Sequence, residues 1–370
     1  VPALFGVGAL LAGQACGGGQ VNEDPPPVCR ASHPVPDGGM IRPLRNSEWA
    51  TLVLRNYRDG QSTSQDCAGN AITWRPTDRQ CRVHEPEDEP APRAVPVTDD
   101  SIVIGRSDSV AIKPVWIITH RFEDGDGFGP VVITERTRDN VDVRAVGTLR
   151  LPIERARLRL RETGGHRLLV ADGERCPSSG DEEQDASGDD APPANAGGGG
   201  EEEEQPFCLR TSRILPVVGD RILNPEVRTP EGECLGPAAV HLAREHVVGI
   251  SNGWERVFRL AASTEFRGGA IIIHEQVTAH DRDPRDPGRP PRLFRTTDVD
   301  RVIQLERGGM RSRGVPLFER TIAAHGSTQL PIAGAPNRPQ QGQQGAQGQQ
   351  GAQGQQGQQA QQGSSGSRRR

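Results

Sequence analysis

A chain of 370 residues with 33% hydrophobic and 4% aromatic side chains, at a mean hydropathy of −0.61, is short of core-forming residues for its length. Its net charge of −5 is unevenly spread: ten acidic residues fall in 178–206 and four arginines in 336–370, so the body between carries +1. A nucleic-acid binder needs a basic patch or stripe; the linear sequence has none, which sets that class of partner aside.

Residues 2–15 (PALFGVGALLAGQA) hold an apolar run of about ten residues, too short to span a bilayer but of the size of a secretory h-region. Gly13-Gln14-Ala15 is the small-x-small pattern of a cleavage site, and Cys16 follows it. Residues 1–15 therefore resemble the signal of a bacterial lipoprotein, in which the cysteine is acylated and becomes the mature N-terminus. Gly13 departs from the leucine usual there, and no basic residue precedes the apolar run. Residues 16–27 would then be a tether.

The body, 28–335, follows. Asn46–Tyr57 reads as a helix with Trp49, Leu52, Val53 and Tyr57 on one side and Asn46 or Ser47 as cap, or equally as a strand. Period-two alternation then dominates. Val115–Arg121 and Val131–Arg136 flank the turn Asp124-Gly125-Asp126-Gly127, and Val141–Leu149 follows across Asp139-Asn140. Ala156, Leu158 and Leu160 alternate with four arginines, as in a half-buried antiparallel strand, and Gly164-Gly165 turns the chain into 166–170. Trp254–Phe266 and Ala270–Ala279 are joined by Gly268-Gly269. The loop DRDPRDPGRPP, 281–291, reads as a surface connection. This pattern predicts a mainly β fold, an antiparallel meander forming a barrel or sandwich.

Two segments cannot contribute to that core. The acidic insert 178–206 has no large apolar side chain, and 336–370 is a Gln/Gly tail ending in three arginines; both are expected to be disordered. Glycine recurs every third residue from Gly342 to Gly357, which is collagen spacing, but six triplets without proline do not sustain a triple helix. Arginine outnumbers lysine 43 to 1, the lone lysine being Lys113. With the abundant Gly and Pro, that bias reflects a GC-rich genome more than a use for guanidinium chemistry.

Seven cysteines are present. If Cys16 is lipidated, six remain, an even number suited to three disulfides in an oxidising compartment. No CxxC occurs, which argues against a zinc ribbon or a thioredoxin-like site. Fifteen connectivities exist for six cysteines. Proximity suggests Cys67 with Cys81 across a hairpin and Cys176 with Cys208 across the acidic insert, leaving Cys29 with Cys234.

Several segments, LRNYRDG (54–60), DCAGNAITW (66–74), GECLGPA (232–238), WERVFRLAA (254–262), HEQVT (274–278) and DRDPR (281–285), resemble uncharacterised predicted lipoproteins of GC-rich, myxobacteria-like genomes. That resemblance implies lipid anchoring and no particular activity.

Candidate chemistry is sparse. Gly249-Ile250-Ser251-Asn252-Gly253 matches GxSxG, the nucleophile elbow of α/β-hydrolases, with Asp300 and His325 downstream in the required order. The elbow needs a strand-to-helix turn, and the surrounding meander favours an ordinary turn instead. Asp124, Asp126, Gly129 and Glu135 fall at positions 1, 3, 6 and 12 of a calcium loop, but Phe128 and Val132 occupy positions that need oxygen donors. His241 and His246 are five apart; His274 and His280 would share a solvated strand face with Gln276 and Thr278. Glu275 stands out, because its parity matches Ile271, Ile273, Val277 and Ala279 and points it at the apolar face. A carboxylate there lines a ligand cavity or is paired with an arginine.

The sequence therefore predicts an exported, lipid-anchored protein of the bacterial cell envelope, in the outer membrane or periplasm. It would reach the membrane through Cys16, need no cofactor or metal, and perform non-catalytic binding or structural work. A secreted serine hydrolase using Ser251 is the alternative.

Overall fold

The computed structural model describes residues 25–33, 42–59, 61, 63–75, 81–82, 91–177, 207–286, 288–306 and 309–326. The apolar segment 1–15, Cys16, most of the tether, the insert 178–206 and the tail 336–370 lie outside them, together with the expectations placed on those segments.

After β1 (Cys29–Ser32) comes helix α1 (Asn46–Val53). The short β2 (Arg93–Ala94) and β3 (Ile102–Ile104) lead to β4 (Ile112–Ile117), β5 (His120–Arg121) and the long pair β6 (Asp126–Arg136) and β7 (Asn140–Pro152). β8 (Glu154–Thr163) and β9 (His166–Arg175) form the next hairpin, and β10 (Leu209–Val218) lies beside β9. Three short strands follow: β11 (Arg221–Ile222), β12 (Glu226–Arg228) and β13 (Cys234–Pro237). A long meander then runs through β14 (Ala239–Gly249), β15 (Glu255–Arg267), β16 (Ala270–Arg282), β17 (Arg292–Glu306) and β18 (Gly309–Arg313), and ends in helix α2 (Leu317–His325).

The fold is mainly β, as the alternation predicted, and its sheet is mostly antiparallel; β11 beside β7 and β12 beside β18 are the parallel exceptions among the described strands. Of the two architectures expected, a closed barrel is not formed. The pairings Arg221↔Val146 and Arg106↔Arg159 touch between layers at single residues only, too few to carry a ladder around.

Strand parity explains how the layers stack. In β4, Val115 and Ile117 face a core shared with α1 and β1, while Trp116 faces the opposite core with Leu158, Leu160, Leu169 and Leu215. β6 is buried on both faces from Asp126 to Thr134, so Val131, Val132 and Ile133 are all apolar and the alternation expected for this strand is broken there. In β9 and β10 the same rule sends Leu169 and Leu215 to one core, and Leu168 and Ile214 to a third core with Ile271, Ile273 and Ile303. Gly129 sits on β6 beside the junction of its neighbours β4 and β5: a Cβ there would run into the Ile117 carbonyl oxygen, so only glycine permits the approach.

The ambiguous stretch at 46–57 resolves as a helix only to Val53. Trp49, Ala50, Leu52 and Val53 are buried, but the N-cap is Arg45 rather than Asn46 or Ser47. Glu48 closes the first turn by accepting the Arg45 backbone N–H at 2.7 Å while also binding the Arg42 guanidinium. Those contacts hold the Glu48 carboxyl at about 2. Tyr57 lies beyond the helix, past a left-handed Asn56. Helix α2 was not foreseen; Leu317, Phe318 and Thr321 form its buried stripe.

All six body cysteines are disulfide-bonded, but two of the three expected pairings are corrected. Cys176–Cys208 forms as expected, because Leu209↔Arg175 is the last pair of the β9–β10 ladder and the cysteines are the next residues out. Cys67 bonds Cys29, and Cys81 bonds Cys234. Cys67 does not face Cys81 across a hairpin. The chain turns tightly at Asp66–Asn70, with Asp66 accepting from the Asn70 backbone and side chain, and the Cys67 N–H donates to the Val53 carbonyl. That fixes Cys67 against the end of α1, in the core that also contains Cys29.

Candidate functional site

Period two carries β16 through the third core into a fourth, formed by Phe258, Leu260, Val277, Ala279 and the α2 residues Leu317 and Phe318. Glu275 lies between the two, on the buried face its parity predicted and only 4% exposed. Its Oε1 accepts from Arg301 Nε at 3.0 Å and Nη2 at 2.7 Å, and Arg301 is itself 7% exposed. The second oxygen, Oε2, accepts the backbone N–H of Leu317 at 2.8 Å. One carboxylate thus neutralises a buried guanidinium and satisfies an orphan donor at the start of α2, where the helix dipole also favours negative charge.

Six residues further along the same face a second pair repeats the pattern. Arg256 is fully buried and forms a two-point bond to Asp281, at 2.6 and 3.0 Å, while its Nη1 donates to the His325 carbonyl at the last turn of α2. Its guanidinium also lies 3.5 Å from the Phe294 ring centroid. Asp281 is therefore a buried residue of β16, which runs to Arg282, and not part of the surface connection; the exposed loop begins at Pro284. The parity that singled out Glu275 continues to Asp281, but the Asp- and Pro-rich composition just beyond concealed it.

Between β13, β14 and α2 lies a cavity of about 200 Å³. Its polar lining is His241, Arg244, Glu275, Arg301 and Glu319, with Leu260 and Phe318 as apolar walls. His241 sits 3.4 Å from Thr211 Oγ1, and burial, reinforced by the Arg244 guanidinium, pushes its imidazole down to about 4, so it is neutral at pH 7. Arg244 Nη1 donates to Glu319 Oε1 at 3.1 Å and its guanidinium lies over Phe318. Glu319 Oε2 is shielded from solvent and meets no protein donor. Glu275 is thus paired with an arginine, one of its two expected readings, and borders this pocket with both oxygens already committed to protein donors.

A wider cleft of about 490 Å³ opens on the outer side of β15–β16 under the 283–291 loop. Its arginines Arg259 and Arg282 are already bound to Glu245 and Glu255, and Asp283 is bound to Arg285.

The other sequence candidates are dispersed. Ser251 occupies a 3-10 turn, Ser251–Gly253, in the β14–β15 connection, where strand follows strand and no helix follows the serine. In register, Glu255 opposes Arg282, whereas Asp300 opposes His274 and, beyond it, Ser263. Eight residues of strand, about 26 Å at ~3.3 Å per residue, thus separate Asp300 from the Ser251 turn. Asp300 binds His274 at 2.7 Å and His325 Nε2 meets Arg295, so the three do not assemble a triad. The Asp300 carboxylate holds the exposed His274 above its ordinary range. His274 and His280 share the outer face of β16, as expected. His241 and His246 stand five apart on strand β14, with His241 beside Thr211 and His246 exposed.

Asp124 and Asp126 are bound by Arg150 and Arg175, which neutralise the turn that resembled a calcium loop. Cys81, Glu226 and Cys234 cluster closely enough to suggest metal ligation, but the two sulfurs are joined in a disulfide and offer no thiolate.

Fold and site define a mainly β protein with three disulfides, which belong to an oxidising, extracytoplasmic environment. No helix among the described residues is long and apolar enough to cross a membrane. The chain matches no family model, no curated protein and no solved structure.

Proposed function

We propose that this chain is an exported protein of the bacterial cell envelope, held at the membrane by acylation of Cys16, whose β domain binds or organises other envelope components without catalysis. The observation that carries the reading is cysteine parity. Six of seven cysteines pair within the body, and the odd one, Cys16, stands directly after a signal-like apolar run. Lipoprotein anchors carry more than one acyl chain, which is what stable membrane attachment requires.

The non-catalytic half of the reading rests on two features. Ser251 lies far along the sheet from Asp300, and Asp300 and His325 are engaged with His274 and Arg295 rather than with a serine as an activated nucleophile and base. Fractionation of host cells tests the anchor. The wild-type chain should sediment with membranes and enter detergent, whereas Cys16→Ser should be recovered in the soluble fraction. Equal partition of both would refute the anchor.

A further inference from the structure

The cavity under α2 is built around charge, yet its ledger of charge is closed. Arg244 and Arg301 contribute two positive charges, Glu275 and Glu319 two negative ones, and His241 is neutral. A ligand that is only an anion or only a cation would leave one charge uncompensated beside the buried Glu275–Arg301 pair, although the Arg244–Glu319 pair is about one-third exposed and partly solvated. A net-neutral molecule incurs no such cost.

The hydrogen-bonding valence is not closed. Glu275 has both oxygens committed, to Arg301 and to the Leu317 N–H. Arg301 uses Nε and Nη2 on Glu275, leaving Nη1, and Arg244 uses Nη1 on Glu319, leaving Nη2. Glu319 Oε2 is a shielded acceptor with no protein donor. Two guanidinium edges are therefore open to an acceptor from solvent or a ligand, and one shielded carboxylate oxygen lacks a protein donor. Leaving such groups unmatched on burial is unfavourable, so a ligand that matches both ends has a specific advantage.

From these observations we infer that the cavity binds a small zwitterion of the α-amino-acid class. Its carboxylate lies toward Arg244 and Arg301, its ammonium toward Glu319, and a short aliphatic side chain lies against Leu260 and Phe318. The volume supports the class: about 200 Å³ is below the usual range for drug-sized ligands and suits a single small metabolite. Glu275 then has a supporting role, holding Arg301 in place and anchoring the helix that supplies Phe318 and Glu319. This inference deepens the binding role proposed above and does not depend on the lipid anchor.

Isothermal titration of the full-length chain tests it with a matched series: L-valine, isovalerate as anion only, isobutylamine as cation only, N-acetyl-valine amide as neither, and glucose as a neutral polyol. The expected result is saturable binding of valine, with every single-charge or uncharged analogue weaker by roughly tenfold or more. Glu319→Gln, which keeps size and removes the charge, should weaken valine by a similar factor while its circular dichroism and melting curve stay those of the wild type. As a second variant, Leu260→Phe should fill the apolar wall and exclude valine but still admit glycine. Glucose or an analogue binding as well as valine would overturn the inference, and so would valine affinity unchanged in Glu319→Gln. No binding by any member would overturn it too, while leaving membrane attachment through Cys16 to stand or fall on the fractionation.

Discussion

The carboxylate of Glu275 accepts the backbone N–H of Leu317 at 2.8 Å, although the two residues are 42 positions apart. Helix α2 is thereby fastened at its first residue by a strand of the sheet, and at its last turn by Arg256 through the His325 carbonyl. Both fasteners are members of buried arginine–carboxylate pairs set six residues apart on β16. Nine residues of helix, too short to be stable alone, are held by their packing and by these two ends.

Removing Glu275 should therefore cost more than one hydrogen bond. Glu275→Ala leaves Arg301 buried without a counter-charge and the Leu317 N–H without an acceptor, for an expected loss of about 3–5 kcal/mol in urea unfolding. Replacing both partners, Glu275→Met with Arg301→Leu, should recover most of that loss. If the single variant costs less than the double, the pair does not hold α2 as described.

His241 predicts the pH dependence. Its folded-state pKa, about 4, lies below the ordinary value of 6.5, so between those limits the unfolded chain binds the extra proton. Stability should fall as pH drops from about 6.5 toward 4, by at most ~1.4 kcal/mol per pH unit from this residue. Glu48 and Asp142 have depressed carboxyl pKa values, Glu48 through Arg42 and Asp142 chiefly through its bond to Arg30. Their contributions are present above the unfolded carboxyl range and are lost only at lower pH, through their folded values. Melting temperature against pH should thus decline in two stages, and His241→Gln should shrink the upper one without removing it, because His33, His120 and His325 are also held below the ordinary imidazole range, chiefly by burial.

The disulfides should differ in worth according to the loops they close. Cys81–Cys234 spans 153 residues, against 38 for Cys29–Cys67 and 32 for Cys176–Cys208. The chain-entropy account gives about 5 kcal/mol for the first and ~4 kcal/mol for each of the others. Paired Cys→Ser variants, compared by calorimetry, should rank in that order; a larger loss from the Cys176–Cys208 pair would show that strain or residual structure outweighs loop length.

Gly129→Ala should be among the most damaging small substitutions in the molecule. The added methyl meets the Ile117 carbonyl beside the β4–β5 junction, and the backbone must shift or the ladder open, at a cost of about 1–3 kcal/mol or more. Gly125→Ala, in the open turn, meets nothing within 4 Å and tests only the left-handed backbone, so it should be the milder of the two.

What the sequence made legible follows from what has a local period. Alternation placed Leu158 and Leu160 inward and Arg157, Arg159 and Arg161 outward, and it placed Glu275 among Ile271, Ile273 and Val277 before any partner was known. It could not name Arg301 or Leu317 as the partners, because a neighbouring strand and a helix bring them there and parity says nothing of what crosses a face. Cys176–Cys208 was legible since two strand ends must meet across an insert. Cys29–Cys67 was not, because it depends on how α1 packs on β1. Asp281 was lost to composition: a run of Asp, Arg and Pro reads as loop even where its first two residues still belong to the strand. Helix α2 was missed for the related reason that only its packing against β15 and β16 reveals its stripe.

Intact mass under non-reducing conditions, measured on the protein taken from its host's membranes, tests the anchor and the compartment together. The expected species is a chain beginning at an acylated Cys16, with the other six cysteines refusing alkylation until reduced. A chain without lipid whose body thiols react freely would contradict both the anchor and the compartment.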